Sequence, residues 1–245
     1  MSADGIINFY KPLGITSAKA LYRVRKTTGV RKSGHAGSLD PAAEGVLLLC
    51  QGKATKLVER IMDLPKVYRA TGRLDVTSAS FDSDRPLEEV AIAVRPSADE
   101  IQTALARFEG EVDQVPPRVS AIKLGGVPAY KTAGHADAPP LRSRKVRIHW
   151  IHLHRYEWPT IDFEMACGRG TYVRALIRDL GLRLQTGGCL TALTRTAVGP
   201  FTVDDAWTFD RLENAGAGQP YLIRLERAAD LVGIRPTTIP RRPPS

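Results

Sequence analysis

Strand-forming and helix-forming segments do not alternate along this chain as βαβ units, and that order constrains the fold more than any other feature. Val67 to Val76 alternates, with Tyr68, Ala70, Gly72, Leu74 and Val76 on one face, and reads as a strand. Val146, Ile148 and Trp150 alternate too, and the phase then slips to Ile151 and Leu153, which suggests a bulge in a long strand. Ile161, Phe163, Met165 and Cys167 make a further strand. Segments in this order do not build βαβ units. The expected class is therefore α+β, a mostly antiparallel mixed sheet flanked by helices and loops.

The remaining elements fit that frame. Gly5 to Tyr10 is a short strand, and Lys11-Pro12-Leu13-Gly14 a turn. Ser17 can cap a helix over Ala18 to Thr28, closed by Gly29. Val46 to Cys50 reads as a buried strand and Ala54 to Met62 as a short helix. Ser97 to Glu100 is a capping box, after which Ile101, Leu105 and Phe108 mark one helical stripe that Gly110 ends. Gln114-Val115-Pro116-Pro117 links rigidly into a strand at Val119 to Lys123, with a short helix over Pro128 to Ala133. Val173, Leu176, Ile177, Leu180 and Leu184 sit at helical spacing, and a last strand runs from Leu190 to Ala197 before Gly199. Residues 1–212 are expected to form one domain. The tail, 213–245, reads as a polar loop, a helix over Tyr221 to Leu231 and a proline-rich end.

Charge points to the partner. The 245 residues carry 35 Lys and Arg against 26 Asp and Glu, a net charge of +9, which favours a polyanion such as nucleic acid. The cations cluster in three stretches: Lys19, Arg23, Arg25, Lys26, Arg31 and Lys32; then Arg142, Arg144, Lys145 and Arg147; then Arg169, Arg174, Arg178 and Arg183. The three cysteines, Cys50, Cys167 and Cys189, lack zinc spacing, and an odd number this far apart does not suggest a disulfide framework. The first residues lack the basic and apolar regions of a signal peptide, and no apolar run approaches the roughly 18 residues of a membrane span. A soluble, cytoplasmic protein is the expectation.

One loop carries a candidate chemistry. Gly34-His35-Ala36-Gly37-Ser38-Leu39-Asp40-Pro41 sets a single carboxylate among glycines and small residues, which let a ligand approach closely. Asp40 could serve there as nucleophile or base; on composition alone, Asp-Pro is equally a common turn opener. The string resembles the active-site motif of the TruB family of tRNA pseudouridine synthases. The resemblance covers roughly residues 5 to 212 through further blocks in the same order: Asn8 to Ser17, Lys66-Val67-Tyr68, Gln114 to Pro117 with Ser120 to Lys123, Gly170 to Arg174 with Asp179-Leu180-Gly181, and Leu193-Thr194-Arg195 near Gly199.

What the resemblance implies is the pseudouridine synthase fold and isomerisation of the T-arm loop uridine of tRNA, position 55, without cofactor or metal. Asp40 matches the essential carboxylate, and Arg174 the cation that pairs with it and keeps it ionised. Tyr68 matches the ring that stacks on the target base and helps take the proton from C5. Tyr172 matches a second aromatic, Leu193 an apolar wall, and His35 a histidine that contacts RNA and holds the base flipped out. Lys11 and Lys123 would meet phosphates. The expected partner is the tRNA T-arm stem-loop, with no membrane and no obligatory protein partner, the chain acting as a monomer.

Three departures stand out: Asp75 replaces a usual glycine, Ala79 a usual aspartate and Val119 a usual tyrosine. Many bacterial relatives also carry a C-terminal RNA-binding PUA domain, and roughly 35 tail residues are too few to fold as one; weaker tRNA affinity is the expectation. Other readings are an RNA-folding chaperone, an RNA-guided synthase of the same fold, and a hydrolase built on Asp40 and His35, which would lack a recognisable oxyanion motif.

Overall fold

The computed structural model describes residues 4–118, 141–216, 218–233 and 242–243, and the backbone of 123–124 and 127–128. The expected strand from Val119 falls outside the described residues up to Ile122, the expected helix after Pro128 falls outside them, and so does most of the proline-rich end. In chain order the first elements are β1 (Gly5–Lys11), α1 (Ser17–Thr28), β2 (Ser33–His35), β3 (Ala43–Gln51), α2 (Val58–Asp63), β4 (Lys66–Arg73), β5 (Val76–Thr77) and β6 (Glu88–Glu89). Next come α3 (Ala98–Ala106), β7 (Gly110–Gln114), β8 (Lys123–Leu124), β9 (Val127–Pro128), β10 (Arg144–Glu157), β11 (Thr160–Cys167) and α4 (Val173–Leu184). The chain closes with β12 (Cys189–Val198), β13 (Phe201–Thr202), α5 (Phe209–Glu213), β14 (Ile223–Arg224) and α6 (Leu225–Gly233). Two compact units emerge, one from the described residues of Met1–Arg69 and Leu193–Pro243, the other from Ala70–Ala192.

In the first unit the strands run β14-β1-β3-β12. β1 lies antiparallel to β3 along its whole length, from Gly5 opposite Gln51 to Lys11 opposite Gly45, whereas β12 runs parallel to β3. Helices cover both faces of this sheet. Ile6, Val46, Leu48 and Cys50 pack with Ile61 of α2 and Ala228 and Val232 of α6. On the other face Ile7, Phe9, Leu47 and Leu49 pack with Ala20 and Val24 of α1 and with Phe209 and Leu212 of α5. Burial on both faces is why β3 reads as a continuous apolar run rather than an alternation. Each Val, Leu, Ile or Phe among them contributes about 1.5–3 kcal/mol.

Three expectations change here. The helix over Ala54 to Met62 begins as a 3-10 segment, Gly52–Leu57, and becomes α-helical at Val58. Thr16, not Ser17, caps α1, accepting from Lys19 N, because the Ser17 hydroxyl is buried and engaged elsewhere. The tail helix starts at Leu225 rather than Tyr221, since Ile223 and Arg224 pair with the edge of β1.

In the second unit the order is β4-β11-β10-β7, the end of β4 being its share of that strand. The β10–β11 hairpin shifts register between Ile148 and Trp150, just before the sequence phase slips from Trp150 to Ile151, and again between Leu153 and Arg155. The strand expected through Val76 stops at Arg73, and Val76 begins the short β5. α4 lies close over β4: a Cβ on Gly72 would come within 2.7 Å of Ile177 Cδ1. α3 opens with the foreseen capping box, Ser97 to Glu100.

Candidate active site

In the first unit Asp40 sits on the turn joining β2 to β3. Its carbonyl accepts from Ala43 N at 3.1 Å, and the Pro41 carbonyl accepts from Gly14 N at 2.8 Å, which ties the turn to the loop before α1. Ser17 supplies the tightest hold. Its Oγ accepts from Leu39 N at 2.8 Å and donates to Leu39 O at 3.0 Å, both buried. One hydroxyl thus satisfies both backbone groups of the residue preceding the carboxylate.

Arg195 braces the same turn and is 1% exposed. Its Nε donates to Val46 O at 2.7 Å and its Nη2 to Gly37 O at 3.1 Å. Gly45, opposite it on β3, has φ +102°, and a Cβ there would lie 2.3 Å from Arg195 O, so a side chain does not fit. Lys11 is 0% exposed, with Nζ donating to Pro12 O and Ile15 O, each at 2.8 Å. Burial lowers its pKa to about 8, opposed by the Asp40 and Glu44 carboxylates and reinforced by Arg195. Glu44 accepts from Thr194 Oγ1 at 3.3 Å, and Tyr10 beside it is raised to about 12 by burial and by its bond to Glu44. Asp40, Glu44 and Arg195 therefore all lie in electrostatic reach of Lys11.

The sequence reading puts Lys11 against a phosphate; its buried ammonium, spent on the chain's own carbonyls, instead anchors the loop from beneath. His35 ends β2 opposite Leu49. Burial, then the Arg195 charge, lower its pKa, and its Nδ1 is buried without a hydrogen-bond partner. The imidazole is thus neutral at physiological pH. Leu193 pairs with Ala43 across the parallel register, so it lies beside the start of β3. Tyr68 is half-buried on β4, whose Val67 carbonyl accepts from Thr196 Oγ1 of β12 at 3.4 Å.

The second unit holds the other candidates. Arg174, the second residue of α4, is 4% exposed. Its Nη1 donates to Ser80 O at 3.2 Å, and its Nε lies 3.9 Å from Asp82 Oδ2. The Ser78–Asp82 loop is closed by Ser78 Oγ, which accepts from Asp82 N at 3.0 Å and donates to Asp82 O at 2.8 Å. Phe81 there has φ +57°, an uncommon conformation for a bulky residue, and it turns Ser80 O and the Asp82 carboxylate onto one guanidinium. Tyr172 caps α4. Buried Gln114 grips its backbone, accepting from Tyr172 N at 2.8 Å and donating to Tyr172 O at 3.1 Å, while Arg144 lies 5.0 Å over its ring. Lys123 falls on β8, where the described atoms are backbone only.

Sequence reasoning missed four supporting residues: Ser17 as loop clamp, Arg195 as brace, Gln114 as grip and Asp82 as carboxylate partner of Arg174. An arginine inside an otherwise uncharged strand and a glutamine at a strand end before Pro-Pro were the available signals.

Known proteins match most of the chain. The family model described as TruB family pseudouridylate synthase (N terminal domain) matches residues 25–173, and that of the tRNA pseudouridylate synthase B C-terminal domain matches 174–224. The tRNA pseudouridine synthase B of Pseudomonas paraeruginosa is 40% identical over 217 residues, covering 88% of this chain and 71% of that one. Its counterpart from Aromatoleum aromaticum is 42% identical over 213 residues, covering 86% and 68%. Among solved structures, one titled as a crystal structure of a Cbf5-Nop10-Gar1 complex aligns at TM-score 0.72 and 27% identity. It covers 94% of this chain, which spans 62% of that chain's length. On these matches the chain belongs to the TruB family of pseudouridylate synthases.

Proposed function

We infer that this TruB-family isomerase converts the T-arm loop uridine of tRNA, position 55, to pseudouridine, with Asp40 as the catalytic carboxylate. The supporting observation is the Asp40 turn itself. A carboxylate on a turn clamped by Ser17 and braced by Arg195, with Lys11 in electrostatic reach, is preorganised to meet developing charge on a sugar. In the reaction the N1–C1′ bond breaks, the uracil turns, and a C5–C1′ bond forms. The C5 hydrogen leaves to solvent and N1 takes up a proton, so atoms balance without a cofactor.

The remaining roles follow from the family resemblance and from each residue's setting. Arg174, buried and backed by Asp82, is the cation assigned to keep the catalytic carboxylate ionised. Tyr68 stacks on the base and assists loss of the C5 proton, Leu193 walls the pocket, and Tyr172 is held ready by Gln114. Neutral His35 suits a contact with an extruded base, for which flipping costs a few kcal/mol. The chain is read as a monomer of the cytoplasm; among the described residues no helix is long and apolar enough to cross a membrane.

The test is tritium release from tRNA carrying C5-tritiated uridine, with wild type and Asp40→Asn compared. Release by wild type alone, mapped to the T-loop uridine, is the expected result. Equal release by Asp40→Asn would remove Asp40 from the chemistry, and no release by either would refute the activity on this RNA.

A further inference from the structure

Helix α1 begins at the catalytic turn and presents an outer face that nothing in the fold uses. Its first turn is fixed there by the Ser17–Leu39 clamp and the Gly14–Pro41 bond. Ala20 and Val24 are spent on the core. Arg23 is also spent: it bonds Glu213 Oε1 at 2.8 Å and 3.2 Å and stacks 4.0 Å over Phe209. What faces outward is Lys19, Tyr22 and Lys26, with Arg31 and Lys32 exposed just beyond the helix. Tyr22 is 58% exposed, and Lys26 Nζ lies 4.9 Å from its ring centroid.

An ordinary solvated face mixes signs, because i,i+4 pairs of opposite charge stabilise a helix. α1 contains Lys19, Arg23, Arg25 and Lys26 and no Asp or Glu. Among the described residues no carboxylate pairs with Lys19, Lys26, Arg31 or Lys32. A membrane-surface helix would need an exposed apolar face; the apolar side of α1 is buried inside the unit, and Tyr22 is the one large ring outside. Cations with an interleaved aromatic match a nucleic-acid strand instead, the cations taking phosphates and the ring a base or ribose.

We propose that the outer face of α1, formed by Lys19, Tyr22 and Lys26 and continued by Arg31 and Lys32, is an RNA-contact surface for the strand leading away from the uridine held at Asp40. The proposal rests on the tRNA reading above and extends it from the reacting nucleotide to the flanking backbone. Lys19 and Lys26 stand about 10 Å apart along the helix axis, a distance that spans a few consecutive nucleotides.

The experiment measures fluorescence anisotropy of labelled tRNA with the full chain across a salt series, for wild type, Lys19→Gln/Lys26→Gln and Tyr22→Ala. Arg227→Gln, an exposed cation on α6, serves as control. The double variant is expected to bind more weakly and to lose about 1.5 from its log–log salt slope, at 0.7–0.9 per phosphate contact. Tyr22→Ala is expected to weaken binding about five-fold or more with little change of slope. Wild-type binding and tritium release alongside variants that match the control in affinity and slope would overturn this surface alone. A wild type without salt-dependent tRNA binding would overturn the tRNA reading together with it.

Discussion

Replacing Ser17 by alanine removes one oxygen atom and two hydrogen bonds, both made to the residue before Asp40. The helix itself tolerates the change. Thr16 is the cap, Ser17 is the first helical residue, and alanine has the best helix propensity, which returns up to about 0.5 kcal/mol. The cost falls on Leu39. With Ser17 3% and Leu39 6% exposed, water does not readily replace the hydroxyl, so the N–H and C=O of Leu39 each lose a buried partner at about 1–3 kcal/mol. Allowing for relaxation and the helix gain, the net loss is about 2–3 kcal/mol. That leaves a domain of ordinary stability, about 5–15 kcal/mol, folded.

Catalysis should suffer more than that figure suggests. Freed at Leu39, the turn can shift its carboxylate, and a misplacement of about 1 Å can cost about 100-fold in rate. The expected result is a urea transition displaced to lower midpoint with unchanged slope, and single-turnover tritium release slowed about 10–100-fold at saturating tRNA. A variant that unfolds within about 0.5 kcal/mol of wild type and turns over at the wild-type rate would refute the clamp. One that loses the stability but keeps the rate would show that Ser17 supports the fold and leaves the carboxylate's position to other contacts.

Two further outcomes can be measured on the same turn. Arg195→Met fills much of the volume but strips donors from Val46 O and Gly37 O; a loss of about 3–5 kcal/mol in urea unfolding is expected, and less than about 1 kcal/mol would show that the brace is dispensable. Lys11 has a folded pKa of about 8 against an ordinary 10.5, so between those values the unfolded chain binds more protons and stability rises with pH. Relative to Lys11→Met, wild type should therefore gain up to about 3 kcal/mol from pH 8 to 10.5, and a flat difference in urea unfolding free energies would rule out a buried ammonium.

How much was legible in the sequence depends on whether a local period reports the feature. The α+β class and the β10 bulge were legible because alternation and its slip are local. Asp40 and His35 stand out as candidates within one string and Leu193 within a second, and the structure shows how the Asp40 turn is held. Lys11 was misread for a physical reason: a lysine is written the same way whether buried or exposed. Yet β1 alternates, and Ile7 and Phe9 face the α1 side of the core. Carrying that parity two residues on puts Lys11 on the same buried face, so the strand's period held the answer one residue past its apparent end. Ser17 fails differently. A serine at a helix start is expected to cap, and its real partner lies 22 residues away, beyond the reach of any local pattern.

The departures from the family string can now be weighed by place. Ala79 is exposed on the Ser78–Asp82 loop, so the missing carboxylate is one that would have stood in solvent. Asp75, standing for a glycine, takes Arg73 at 2.6 Å, and that hydrogen bond, then the charge, hold its pKa below the usual carboxylate range. It closes the break between β4 and β5 with an ion pair of its own. Asp82, in contrast, is 5% exposed and is the acid that reaches Arg174. The loop has thus changed where side chains meet water and kept the buried acid beside the guanidinium. Removing one partner of a buried pair costs about 3–5 kcal/mol, whereas an exposed charge contributes about 0–1 kcal/mol. That difference gives a physical reason for both substitutions to be tolerated in a chain that keeps Asp82 and Arg174.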